Sequence, residues 1–185
     1  MSGGTLGGTV GPGPDGVASG AVPLVDHVDL VVSSIERSLP FYRGLLGPLG
    51  WVVVVEQEGE RGEPIRYLGG PDWAGSVGLR ERPPEARQDA VDRYALGLHH
   101  LAFEAPSRAA VDEAARWLRE QRAEIEGGPG ERHYTPGYYA VFLYDPDGIK
   151  LEVVHRPRPF SLSFARGMVR GAGSVANQVR RRRKR

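Results

Sequence analysis

Apolar and polar positions alternate with a period of two in several short stretches, and recur with a helical period in two others. Val25-Asp26-His27-Val28-Asp29-Leu30-Val31-Val32 is rich in β-branched residues and reads as a strand. Ser33 and Glu36, three apart, form a capping-box pattern that predicts a helix running to about Leu46. Pro40 falls inside that helix, where it removes a hydrogen bond, and Gly47-Pro48 ends it. Strands are predicted at 51–56, 65–68 and 76–81, giving the order β-α-β-β-β. The order then repeats. A strand covers 97–105, Pro106-Ser107 opens a helix, and Val111, Ala114, Ala115, Leu118 and Arg122 mark its buried stripe. A weak strand at 123–126 is followed by Gly127-Gly128-Pro129-Gly130, which reads as a loop. Strands at 138–144 and 149–155 are joined by the turn Asp145-Pro146-Asp147-Gly148.

The two halves align at one offset. His27 plus 73 is His100, Leu30 plus 73 is Phe103, and Ser34 plus 73 is Ser107. An offset kept across a strand and a helix start indicates an internal duplication. One β-α-β-β-β unit cannot cover its own sheet. The predicted fold is therefore α+β: two paired β-α-β-β-β modules forming a curved eight-stranded mixed sheet, with the helices on its outer face.

Side chains alternate across a strand. Val28, Leu30 and Val32 suit the helix-covered face, which turns His27 and Asp29 to the concave face. By the same parity His100 and Ala102 face inward, while His99 groups with Leu101 and Phe103. Glu152 is opposite in parity to Leu151 and Val153 and also faces inward. Two imidazoles and a carboxylate on one surface make a 2-His-1-carboxylate set, suited to a divalent ion with open coordination positions.

Composition narrows the choice of chemistry. The 185-residue chain has no cysteine, which excludes disulfides, zinc fingers, iron–sulfur clusters and thiol catalysis. No Gly-x-Gly-x-x-Gly follows a strand, and no Gly-x-Ser-x-Gly elbow exists, so a nucleotide loop and a serine triad have no support. No apolar run approaches the ~20 residues of a membrane span. With no signal-peptide pattern at the start, a cytoplasmic location is expected. The near-neutral total conceals an asymmetry: residues 156–185 hold ten basic and no acidic residues, whereas residues 1–155 hold 14 basic and 23 acidic. Three regions are expected: a glycine-rich, disordered segment at 1–22, one domain at 23–158, and a basic tail at 159–185. The tail is expected to make at most weak contact with anionic lipid or nucleic acid.

The strand Asp26-His27-Val28, the segment Ser38-Leu39-Pro40-Phe41-Tyr42-Arg43-Gly44-Leu45-Leu46-Gly47, the run Gly97 to Phe103, and Asp145-Pro146-Asp147-Gly148-Ile149-Lys150-Leu151-Glu152 together resemble the vicinal oxygen chelate superfamily. That group includes glyoxalase I, methylmalonyl-CoA epimerase, fosfomycin-resistance enzymes, extradiol dioxygenases and bleomycin-resistance proteins. The resemblance covers about Pro23 to His155. It implies metal ligands at His27, His100 and Glu152, a divalent ion (Fe2+ or Mn2+ favoured, Zn2+ or Ni2+ as alternatives), a small-molecule substrate that chelates through vicinal oxygens, and a homodimer. Four-ligand members carry another ligand near the end of the first repeat. Subtracting 73 from Glu152 gives Leu79, which cannot ligate, so a three-ligand site is expected unless Asp29 or Glu81 substitutes. His133 lies where extradiol dioxygenases resemble this chain with a pocket histidine. Their following tyrosine is replaced by Phe142, whose parity Tyr138 and Tyr144 share. His133, Asp29 and Tyr144 are therefore the candidate proton carriers. The expected function is a lyase, isomerase or extradiol-type dioxygenase; the alternative is a metal-free protein that binds or sequesters a small molecule, including an antibiotic.

Overall fold

The computed structural model describes residues 25–71, 75–86 and 91–157. The expected N-terminal segment and basic tail lie outside the described residues. Eight strands and two helices follow one another as β1 (His27–Val32), α1 (Ile35–Leu46), β2 (Val52–Glu58), β3 (Pro64–Gly69), β4 (Ser76–Glu81), β5 (Leu101–Glu104), α2 (Arg108–Glu120), β6 (Ile125–Glu131), β7 (Tyr139–Tyr144) and β8 (Lys150–His155). They form two four-stranded mixed sheets, in the orders β1-β4-β3-β2 and β5-β8-β7-β6. The first strand of each module lies parallel to its fourth, and the other pairings are antiparallel. The identical orders bear out the duplication, with the eight strands distributed over two ladders.

Both helices begin on a serine 73 residues from its counterpart. Ser34 Oγ accepts from Arg37 N–H, and Ser107 Oγ accepts from Ala110 N–H. The cap of α1 is thus Ser34, one residue beyond the predicted Ser33. Ser33 instead donates its N–H to Asp147 at 2.9 Å, and Glu81 accepts the N–H of Ile35 at 2.8 Å. Pro40 lies within α1 as expected. Arg122, predicted at the end of the α2 stripe, lies beyond the helix at φ 56°.

The two modules share one apolar core. Val32, Leu79, Val141, Leu151 and Val153 from both sheets are buried with Tyr42, Leu45 and Leu46 of α1 and Val111, Ala115 and Leu118 of α2. Trp51 meets Phe103 edge-on at 5.3 Å, and Phe41 meets Trp117 at 5.7 Å. Tyr42 donates to the buried Asp145 at 2.9 Å, tying α1 to the β7–β8 turn. Gly127-Gly128-Pro129-Gly130, predicted as a loop, belongs to β6. That strand is at a sheet edge and its register shifts twice, which accommodates a proline and three glycines. No helix among the described residues is long and apolar enough to cross a membrane.

Candidate functional site

Each sheet has one face in the shared core and one open face, and the chemistry-bearing residues lie on the open faces. In β1, Leu30 and Val32 are buried while His27 is exposed. The His27 Nδ1–H donates to Asp26 at 2.8 Å, and this bond raises the imidazole pKa above its ordinary value. Its ring meets Tyr67 edge-on at 6.1 Å. Asp29 Oδ2 accepts from Tyr67 Oη at 3.2 Å and from Arg80 Nη2 at 3.1 Å. Asp29 Oδ1 is buried without a hydrogen-bond partner. Arg80 also bonds Glu60 and Glu63, so three carboxylates surround one guanidinium and raise its pKa.

On the second sheet, Glu152 is opposite Phe142 in β7 and Ala102 in β5. The Glu152 side chain is 2% exposed. Its Oε1 accepts from Tyr138 Oη at 2.7 Å, and its Oε2 lies 3.4 Å from His100 Nε2. Burial and this carboxylate push the Tyr138 phenol well above its ordinary pKa. His100 Nδ1 lies 2.7 Å from His99 Nδ1, so one ring donates and the other accepts. The His100 ring also packs against Phe142, with centroids 6.3 Å apart.

The predicted β alternation does not reach His99, because β5 starts at Leu101. Instead of being set in the core by strand parity, the His99 ring meets His100 and Tyr94. Desolvation, then the neighbouring His100, lowers its pKa.

The structure brings His100 and Glu152 together and leaves His27 and Asp29 with partners of their own module. No three His, Asp or Glu side chains among the described residues come close enough to hold a metal ion. His133 is exposed between β6 and β7. Tyr144 donates to Glu126 at 2.7 Å and also bonds Arg93. Lys150, at 2.8 Å, and Tyr144 hold Glu126 down to about 2.

The register also corrects the counterpart of Glu152. Asp29 is opposite Gly78, as Ala102 is opposite Glu152. The equivalent residue is thus Gly78, one place before the predicted Leu79, which is fully buried in the core. One residue of drift between the repeats flips the face. Glycine supplies no ligand either, and Asp29 Oδ1 occupies the space a side chain at 78 would take. Glu81 is engaged at the start of α1. Tyr67 and Arg80, on the same open face as Asp29, were legible from strand parity; nothing periodic in the sequence signals the His99–His100 contact.

A cleft of about 780 Å³ lies between the modules, lined by Val28, Trp51, Val77, Leu101 and Phe103 among others. It runs along β1 and β5 and contains none of the expected site residues.

The family model of the Glyoxalase/Bleomycin resistance protein/Dioxygenase superfamily matches residues 24–153, and the chain belongs to that superfamily. The uncharacterized protein YqjT of Bacillus subtilis (strain 168) is 31% identical over 140 residues, 69% of this chain and 95% of that protein. Among solved structures, the glyoxylase/bleomycin resistance protein/dioxygenase domain from Frankia sp. EAN1pec is similar at 25% identity and TM-score 0.59, over 71% of this chain and 95% of that one. A glyoxalase/bleomycin resistance protein from Albidiferax ferrireducens T118 is similar at 28% identity and TM-score 0.55, over 71% and 98%.

Proposed function

We propose that the protein is a divalent-metal enzyme acting on a small molecule that chelates the ion through neighbouring oxygens, with His27, His100 and Glu152 as the protein ligands. The observation that carries this reading is the His100–Glu152 pair, an imidazole nitrogen and a carboxylate oxygen 3.4 Å apart on an open sheet face. A carboxylate this buried is costly unless a proton, cation or metal compensates it. One imidazole and one carboxylate suit Fe2+ or Mn2+ and leave positions for further donors. Tyr138 fixes the carboxylate, and the contact with His99 fixes the His100 ring, as partners behind metal ligands do.

His27 supports the reading only if a second copy closes the site. It is half exposed on β1, an outer strand of its sheet, just as His100 precedes the outer strand β5. In this reading a homodimer places His27 of one copy beside His100 and Glu152 of the other. A bound ion would act as a Lewis acid, polarising a substrate oxygen. Asp29 is the best placed of the three expected proton carriers, because one of its oxygens has no partner. Tyr144 is tied to Glu126 and Arg93, and His133 is exposed.

A second reading, a metal-free protein that sequesters its ligand, is favoured by the absence of a three-donor group among the described residues of one chain. Anaerobic titration of metal-free protein with Fe2+ and with Mn2+ separates the two. The expected result is one ion per chain. His27→Ala, His100→Ala and Glu152→Ala should each lower affinity sharply, and Tyr138→Phe should lower it by about 10–100-fold. No uptake of either ion would favour sequestration. Oxygen consumption with a panel of catechols then distinguishes ring cleavage from lyase or isomerase chemistry.

A further inference from the structure

We propose that Arg132 makes this site selective for substrates that carry an anionic group of the carboxylate class in addition to their chelating oxygens. The proposal rests on the reading of the second module's open face as the substrate site. The Arg132 guanidinium lies over the Phe142 ring, 5.4 Å from its centroid, and the same ring packs against His100 and is opposite Glu152. A cation is thus held one aromatic ring away from the candidate ligands.

The other cations of this face, Arg93 and Lys150, both pair with Glu126. Arg132 has no carboxylate partner among the described residues. Its Nη2 donates to the carbonyls of Gly128 at 2.9 Å and Ala140 at 3.4 Å, and its Nε is buried without an acceptor. The unpartnered Nε is closed to solvent and Nη2 serves the two carbonyls, so an incoming carboxylate would pair with the charge through the guanidinium's remaining edge.

The group is also held in place. The glycines of β6 leave the room it occupies: a Cβ at Gly127 would stand 3.2 Å from Nη2, and one at Gly130 would stand 3.7 Å from Nη1. Gly127 thus lets the guanidinium approach the strand more closely than a side chain there would allow, whereas a Cβ at Gly130 would make ordinary contact. Stacking on Phe142 and two carbonyl bonds hold the charge before any ligand arrives, which lowers the ordering cost of binding one.

The test compares catechol with 3,4-dihydroxybenzoate, which keeps the vicinal oxygens and adds a carboxylate. Dissociation constants are measured by calorimetry on the metal-free and the Mn2+-treated protein. The wild type should bind the carboxylated ligand at least about tenfold tighter in both forms, about 1.4 kcal/mol. Arg132→Gln should bring that ratio close to one while leaving the catechol affinity within about twofold, and Arg132→Lys should keep part of the preference. Raising the salt concentration should shrink the preference in the wild type. Equal affinities in the wild type, no binding of either ligand, or a preference that survives Arg132→Gln would each overturn the proposal. A preference that persists in protein that takes up neither Fe2+ nor Mn2+ would overturn the metal reading and leave the role of Arg132 standing.

Discussion

Glu126 illustrates how charge is distributed around the candidate site at the level of single residues. It accepts from Lys150, Tyr144 and Arg93, and with a pKa of about 2 it is ionised throughout the physiological range. A carboxylate depressed in the folded state contributes stability above its unfolded pKa and loses it as pH falls through its folded pKa. The relevant window therefore runs from about pH 5 down to about pH 2. Because the side chain is 37% exposed, solvent screening reduces the effect. Glu126→Gln should flatten the acid limb of the stability curve across that window and release Tyr144 and Lys150. Urea midpoints measured at pH 7, 5, 4 and 3 check this. A variant that loses stability on acidification as steeply as the wild type would show that Glu126 does not set the acid limb.

At the level of elements, the apolar pattern correctly placed both helices and most strands, because each module buries one face in a common core. What it missed has physical causes. Strand parity sets His100 with Ala102 and His99 with Leu101, although the ladder of β5 begins only at Leu101, so alternation governs neither ring. A constant repeat offset pointed to Leu79, although the repeats drift by one residue before β4, which moves the equivalent position to Gly78. The glycine and proline content of β6 concealed a strand whose backbone still pairs with β7. The helix–helix contact likewise depends on a residue without periodic signal. A Cβ at Gly44 of α1 would fall within the Trp117 ring of α2. Gly44→Ala should therefore cost about 1–3 kcal/mol through overpacking, despite its better helix propensity. In a Trp117→Leu background the same change should cost less. A double-mutant cycle by urea denaturation measures the difference, and a cost independent of residue 117 would place the strain elsewhere.

At the level of the whole molecule, the proposed ligand set is not assembled within one chain, because no three His, Asp or Glu side chains among the described residues come together. The expected concave surface assigned His27, His100 and Glu152 to one face. Strand alternation applies to His27 in β1 and Glu152 in β8, whereas His100 precedes β5 and reaches Glu152 from outside the ladder. It says nothing about how two sheets meet, because the association of modules is set by the helices, Trp51 and Phe103 rather than by strand alternation. If the ligand set is divided between copies, variants defective in opposite halves should complement. His27→Ala and Glu152→Ala chains, each deficient in Mn2+ binding alone, should on mixing and subunit exchange form hybrid dimers with one intact site and one lacking both ligands. Statistical exchange of equal amounts makes half of all dimers hybrids, so tight Mn2+ binding should return to about a quarter of the wild-type stoichiometry. The double variant His27→Ala/Glu152→Ala, mixed with either single variant, should restore none. Recovery in the first mixture and its absence in the control would assign His27 to one copy and Glu152 to the other. No recovery, with hybrid dimers confirmed by native mass spectrometry, would refute a site shared between copies.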